Sequence, residues 1–196
     1  MGGVSLDTVA YQRAAALFGE IVTTLTDDEW ESSTRPSDWT VVTTVAWVVV
    51  GDAQVADALS TGAVHPVADF DSAILGTNPV ATWRGTAVAA IKALAEPGAL
   101  DRVVSHPEGS FAVVDLVAQR VSENLVRAWD IGMAVGRPVE VPDDLAAECL
   151  EFWAQHADAV LAGGVLPDTP IEPAADASPA VRFLALMGRS DGFEIV

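Results

Sequence analysis

The longest regular apolar pattern in the sequence runs from Phe111 to Val135. Its apolar residues recur at steps of three or four, a spacing that places them on one face of a helix of about seven turns. They are Val114, Val117, Val121, Leu125, Ala128, Gly132 and Val135. A helix this long must bury its apolar face against other helices. The segment therefore predicts a helical bundle.

Several other segments carry helical periodicity or helix-boundary residues. They are predicted at residues 5–25, 40–60, 79–95, 142–161 and 178–187. The β-branched run that opens residues 40–60 also suits a strand, but the length of the segment and its alanine-rich continuation favour a helix. Ser37 or Asp38 is expected to cap that helix.

The segments between the predicted helices are short or irregular. Residues 27–30 predict a turn or short helix, and residues 61–78 and 98–110 predict long loops. We find no internal repeat or linker. The expectation is one all-α domain over residues 1–196, a four-helix bundle with additional short helices and long loops.

Charge restricts the partners of this chain. It has 28 acidic and 10 basic residues, a formal net charge of −18. Such a surface repels nucleic-acid backbones and anionic lipid, so neither nucleic acid nor a membrane is an expected partner. No signal-peptide pattern is present, and the apolar run Val41–Val50 is shorter than the roughly 20 residues of a membrane span. We expect a cytoplasmic protein that is a monomer or a homodimer.

A more polar line shares the long helix with the apolar face. Glu123 and Arg127 are four residues apart, so both lie on one side, and Asp130 follows one turn later. The spacing predicts an ion pair between Glu123 and Arg127. Arginine has no lone pair to offer a metal ion.

With these segments placed, the chain resembles the DinB-like superfamily, and more narrowly the N-terminal domain of mycothiol-dependent maleylpyruvate isomerases and their stand-alone actinobacterial relatives. Four motifs carry the resemblance, and they span the chain. They are Pro36-Ser-Asp-Trp-Thr-Val41 ahead of Trp47, His106-Pro-Glu-Gly109, Glu123-x-x-x-Arg127-Ala-Trp-Asp130 with Gly136, and residues 177–189.

The resemblance implies three positions that usually bind a divalent metal, two of them histidines in that family. Here they are Trp47, Glu123 and Arg127, so two of the three ligands are lost. A fixed positive charge at Arg127 also repels a metal ion. We predict no bound metal and no other cofactor, with Trp47 lying against the Arg127 guanidinium.

The leading functional hypothesis is a metal-free protein with a small-molecule pocket between its helices, which binds or transforms an organic ligand. Trp47, Glu123 and Arg127 are the candidate ligand-binding residues: Arg127 would hold an anionic or polarised group, Glu123 would orient Arg127, and Trp47 would wall the pocket. The candidate catalytic residues are Arg127, Glu123 and His106, which could act as a general acid or base. A purely structural ion pair, and turn chemistry at His106-Pro-x-Gly109, are the alternatives for these residues.

Two other classes of function remain open. One is a transferase or isomerase that depends on a divalent metal and on the thiol cofactor mycothiol, with metal ligands among other residues. The other is a non-catalytic interaction or regulatory module, which requires a sizeable exposed apolar patch.

Overall fold

The computed structural model describes residues 6–35, 38–65, 70–107, 109–156 and 171–190. The chain divides into two compact units. One is Leu6–Val139, and the other contains the residues from Glu140 onward. The single domain expected over residues 1–196 stays a prediction.

Four long helices build the first unit. They are α1 (Thr8–Val22), α2 (Val41–Thr61), α3 (Pro79–Leu94) and α4 (Val113–Ala134). Helix α1 packs against α3 and α4, and α2 packs against the same two helices. Each helix therefore has two neighbours, and the predicted all-α four-helix bundle is confirmed.

Side chains cap the starts of α1 and α3, whereas the start of α2 has no side-chain cap. Asp7 accepts hydrogen bonds from the Val9 and Ala10 amides, and Asn78 accepts one from the Ala81 amide. The prediction that Asp38 caps α2 is wrong, because the N-cap is Thr40, which makes no side-chain capping hydrogen bond. Ser37, the other predicted cap, lies outside the described residues.

A β-hairpin replaces part of the loop predicted over residues 98–110. Strand β1 (Val103–His106) pairs antiparallel with β2 (Gly109–Ala112), and His106 lies opposite Gly109. Val103 is exposed while Val104 is buried, the alternation expected of a half-buried strand. A four-residue strand is too short for its period to be separated from a loop by sequence alone. Two 3₁₀ helices, Asp27–Glu31 and Ser72–Leu75, complete this unit.

Helix α2 carries the β-branched run. Its valines Val41, Val45, Val48 and Val49 are at most 1% exposed and join the core of the bundle. By length and composition this helix could cross a membrane, and 56% of its most apolar window is buried inside the protein. Burial against α3 and α4 accounts for its apolar composition.

The second unit contains α5 (Asp143–Gln155) and α6 (Pro179–Leu186), which pack against each other. Ser178 caps α6, and Asp143 accepts a hydrogen bond of 2.9 Å from the Ala180 amide. The predicted end of the fifth helix near Leu161 lies outside the described residues.

Candidate functional site

An ion-pair cluster of Glu123, Arg127 and Asp130 lies on α4. Arg127 Nε donates to Glu123 Oε2 at 3.0 Å, and Nη1 donates to Asp130 Oδ2 at 3.1 Å. Nη1 also donates to the carbonyl oxygen of Arg35 at 3.1 Å. The predicted pair of Glu123 and Arg127 is therefore present, and Asp130 extends it to three charges.

Burial decides how strongly these charges interact. Arg127 is 9% exposed and Asp130 is fully buried. Burial acts to lower the pKa of Arg127, but the charges of Glu123 and Asp130 outweigh it and the pKa is raised overall. The guanidinium therefore stays positively charged. Removing it would leave both carboxylates without their shared cation, at a large cost in stability.

Aromatic side chains cover this cluster. Trp47 Nε1 donates to Glu123 Oε2 at 3.2 Å, so the indole edge and Arg127 Nε share one carboxylate oxygen. Trp47 was expected to lie against the guanidinium, but the ring over Arg127 is Trp39, 5.2 Å from the ring centroid to Cζ. Trp39, in the segment before α2, takes the place expected for Trp47 because the tertiary structure sets its position. Phe70 packs against both indoles, with centroids 5.4 and 5.5 Å away.

The donor set at these positions does not fit a divalent metal ion. Trp47 and Arg127 both present N–H groups, and Glu123 alone offers a carboxylate there. Within the described ranges, no group of three or more histidine, cysteine, aspartate and glutamate side chains is arranged to hold a metal.

A second polar group, the Asp52 cluster, consists of Tyr11, Asp52, Arg120 and Asn124. Asn124 Nδ2 donates to Asp52 Oδ1 at 3.3 Å and to the Arg120 carbonyl oxygen at 2.9 Å. The Tyr11 hydroxyl and the Asp52 carboxyl interact with each other. Two buried atoms of the cluster, Arg120 Nε and Asn124 Oδ1, have no hydrogen-bond partner in the part of the chain that the structure describes.

The electrostatics of this cluster follow from its burial. Burial raises the pKa of the fully buried Asp52 carboxyl to about 6, although the Arg120 charge, the Tyr11 hydroxyl and the Asn124 amide partly oppose the rise. Burial and then the charge of Asp52 raise the pKa of Tyr11 far above its usual range. Sequence reasoning missed the whole cluster. The available signal was an aspartate inside a run that otherwise reads as buried helix.

A cavity of about 60 Å³ adjoins Arg120 between α2 and α4. Its lining residues are Trp47, Val50, Gly51, Gln54 and Arg120. Of the three predicted ligand-binding residues, Trp47 is the one found in this lining. Arg127, expected to hold an anionic group, instead has its Nε and Nη1 engaged by three protein oxygens.

Gly51 makes room for the Arg120 guanidinium. A Cβ atom at residue 51 would lie 1.7 Å from Arg120 Nη1. That distance is far inside van der Waals contact, so any larger side chain there would displace the guanidinium or α2. The sequence gives no sign of this requirement, because the two residues are 69 positions apart.

His106 lies on the hairpin rather than on the bundle helices. Its ring packs against Phe111, with centroids 5.2 Å apart, and its pairing with Gly109 fits the predicted turn chemistry. Glu123 is ten residues after the start of α4, about 15 Å along the helix axis. A catalytic role for His106 therefore stays a prediction.

Comparison with known proteins supports the fold and leaves the chemistry open. No protein-family model matches the sequence. Two proteins of Mycobacterium tuberculosis, one from strain CDC 1551 and one from strain H37Rv, are each 25% identical to the chain over 183 residues, which is 93% of this chain and 97% of the relative. Both are named as uncharacterized.

Solved structures of a mycothiol-dependent maleylpyruvate isomerase and of a mutant of it also match. Their TM-scores are 0.55 and 0.54, at 18% and 15% identity, over 72% of this chain and 67% of theirs. Identity at this level speaks for the architecture rather than the reaction. The chain has the helical fold of mycothiol-dependent maleylpyruvate isomerase, the fold that its motifs predicted.

Proposed function

We propose that this protein is a metal-independent DinB-like protein that binds a small organic molecule between α2 and α4. One observation carries the proposal. Trp47 Nε1 and Arg127 Nε both donate to Glu123 Oε2, at 3.2 and 3.0 Å. The three positions at which the resemblance implies metal ligands thus converge on one point, and a guanidinium supplies the positive charge there.

The cavity beside Trp47 supports the ligand-binding half of the proposal. Its lining combines an indole, an amide and a guanidinium with apolar surface, a mixture typical of sites for small organic molecules. Trp47 walls the cavity on one side and bonds to Glu123 on the other. In this proposal Glu123 and Arg127 position Trp47 rather than contact the ligand.

The compartment and partners follow from the same surface. A net charge of −18 supports a cytoplasmic protein that avoids nucleic acid and membranes. The interaction-module alternative receives little support from the described residues, because the exposed large apolar side chains Val9, Ile74, Val88 and Val103 lie on four different elements. The metal- and mycothiol-dependent alternative is supported by the fold neighbours' name, and metal analysis separates it from our proposal.

The first test is the metal content of the purified protein by elemental analysis. We expect a substoichiometric content of zinc, nickel and manganese. One equivalent of such a metal, retained through gel filtration, would overturn the proposal.

The second test is the double variant Trp47→His with Arg127→His. It would place two imidazoles beside Glu123, a donor set that zinc and nickel prefer. We expect zinc binding by calorimetry in the double variant and none in the wild type. Trp129→His with Arg127→His is the matched control. If the first pair fails to bind zinc while folding normally, the mapping of the three positions is wrong.

A further inference from the structure

The Arg120 guanidinium is buried, and its hydrogen-bonding capacity is only partly used. Arg120 is 9% exposed, its Nε has no hydrogen-bond partner among the described residues, and the buried Asp52 carboxyl interacts with its charge. Buried arginines are ordinarily paired, because an uncompensated charge in a protein interior costs several kcal/mol. Arg127, seven residues along the same helix, has three oxygen acceptors. Arg120 therefore has N–H capacity left for a further acceptor at the cavity that it lines.

Asp52 offsets part of the Arg120 charge. Its carboxyl interacts with Arg120 and with the Tyr11 hydroxyl, and its Oδ1 accepts from Asn124 Nδ2 at 3.3 Å. No ion pair within 4 Å joins Asp52 to Arg120 among the described residues. The guanidinium occupies the place where a Cβ atom of residue 51 would lie, and it lines the cavity of about 60 Å³.

We propose that Arg120 and the cavity beside it bind the carboxylate group of a small organic acid. This inference rests on the proposed ligand-binding function and names the class of its ligand. The planar guanidinium matches a carboxylate, which accepts two parallel N–H bonds. The cavity suits a group of that size, because a single water needs about 10–15 Å³ by the same measure. Trp47 and Val50 offer the apolar wall on which the body of such an acid would pack, and the Gln54 amide adds a polar contact.

The test uses the full-length protein and simple probes. Propionate and benzoate are titrated against it, with propionamide and benzamide as neutral counterparts of the same shape. Binding is followed by calorimetry and by the ¹⁵N–¹H signal of Arg120 Nε. We expect saturable binding of both acids with movement of that signal, and binding of the amides weaker by about 10- to 100-fold, as expected for one charged hydrogen-bonded contact.

Variants then assign the effect to Arg120. Arg120→Met should weaken benzoate binding by about 10- to 100-fold. Arg84→Met, the same substitution at an exposed arginine of α3, should leave binding unchanged. Gly51→Ala keeps every charge but places a methyl group where the guanidinium lies, and it should also weaken binding. It serves as the second variant if Arg120→Met does not fold.

Four outcomes would overturn the inference: equal benzoate affinity in wild type and Arg120→Met, no saturable binding of either acid, an Arg120 Nε signal that does not move when the acids are added, or equal affinity for benzamide and benzoate. In the last case the carboxylate inference fails while the proposed function stands. A stoichiometric metal in the wild type would defeat the proposed function whatever the acids do.

Discussion

Two polar clusters share helix α4, with their arginines seven residues or about two turns apart, and the two buried charges are compensated differently. In the ion-pair cluster, Arg127 is bonded to carboxylates on both sides, and Trp39 covers it. In the Asp52 cluster, Arg120 is buried to the same 9% exposure, but its Nε has no hydrogen-bond partner among the described residues and its charge interacts with the Asp52 carboxyl. Burial alone therefore does not identify a candidate functional residue. The two arginines differ in how far their guanidinium N–H groups are hydrogen-bonded.

The difference arises from what faces each arginine. Arg127 has Asp130 and Glu123 on its own helix at steps of three and four, so its partners come with the sequence. Arg120 faces Gly51 on α2 and the cavity beside it, and the carboxyl that interacts with its charge is Asp52 of α2. The spacing along α4 therefore provides the partners of Arg127. The tertiary contact between Arg120 and Gly51 provides no such partner for Arg120.

Removing the cation of the ion-pair cluster should give the largest effect. Arg127→Met would leave Glu123 and the fully buried Asp130 without their shared cation. We expect the free energy of unfolding to fall by about 3–5 kcal/mol, the usual cost of breaking a buried ion pair from one side. Urea denaturation followed by circular dichroism measures it.

The matched control is again Arg84→Met, for which we expect a change within about 0.5 kcal/mol because Arg84 is exposed. A loss below about 1 kcal/mol for Arg127→Met would show that the ion pairs of Arg127 stabilise the fold no more than exposed ion pairs do.

Titration of Asp52 should make the stability of the protein depend on pH. Burial raises the pKa of the Asp52 carboxyl from 3.8 to about 6, so between these pH values the folded state holds a proton that the unfolded state has released. This stabilisation is fully present below about pH 4 and is lost as pH rises through about 6. Two units of pKa correspond to about 3 kcal/mol.

We therefore expect wild-type stability to fall more than that of Asp52→Asn between pH 4 and pH 7, by up to about 3 kcal/mol. The remaining carboxylates act alike in both proteins, so the difference isolates Asp52. Parallel stability curves for the two proteins would mean that Asp52 titrates normally.

The smallest expected effect tests the aromatic link between the two clusters. Trp47→Phe removes the N–H that donates to Glu123 Oε2 while keeping a ring beside Phe70 and Trp39. We expect a loss of about 1 kcal/mol, because Glu123 retains Arg127 as a donor. If the loss exceeds that of Arg127→Met, the indole rather than the guanidinium holds the ion-pair cluster together.

Local sequence patterns predicted part of this architecture. The helix positions followed from the apolar spacing and from the helix starts at Asn78-Pro79 and Ser178-Pro179, because capping and apolar spacing act over a few residues. The pair of Glu123 and Arg127 was predictable for the same reason. The short hairpin was not, since four residues give too little periodicity to recognise a strand.

The sequence by itself determined the helices, the bundle and the ion pair on α4, because each depends on spacings of three or four residues along one helix. Only the tertiary structure decided that Trp39 covers Arg127 and that the Arg120 guanidinium lies against Gly51. Those contacts join different parts of the chain across the bundle. Their geometry depends on how the helices pack, which no local pattern encodes.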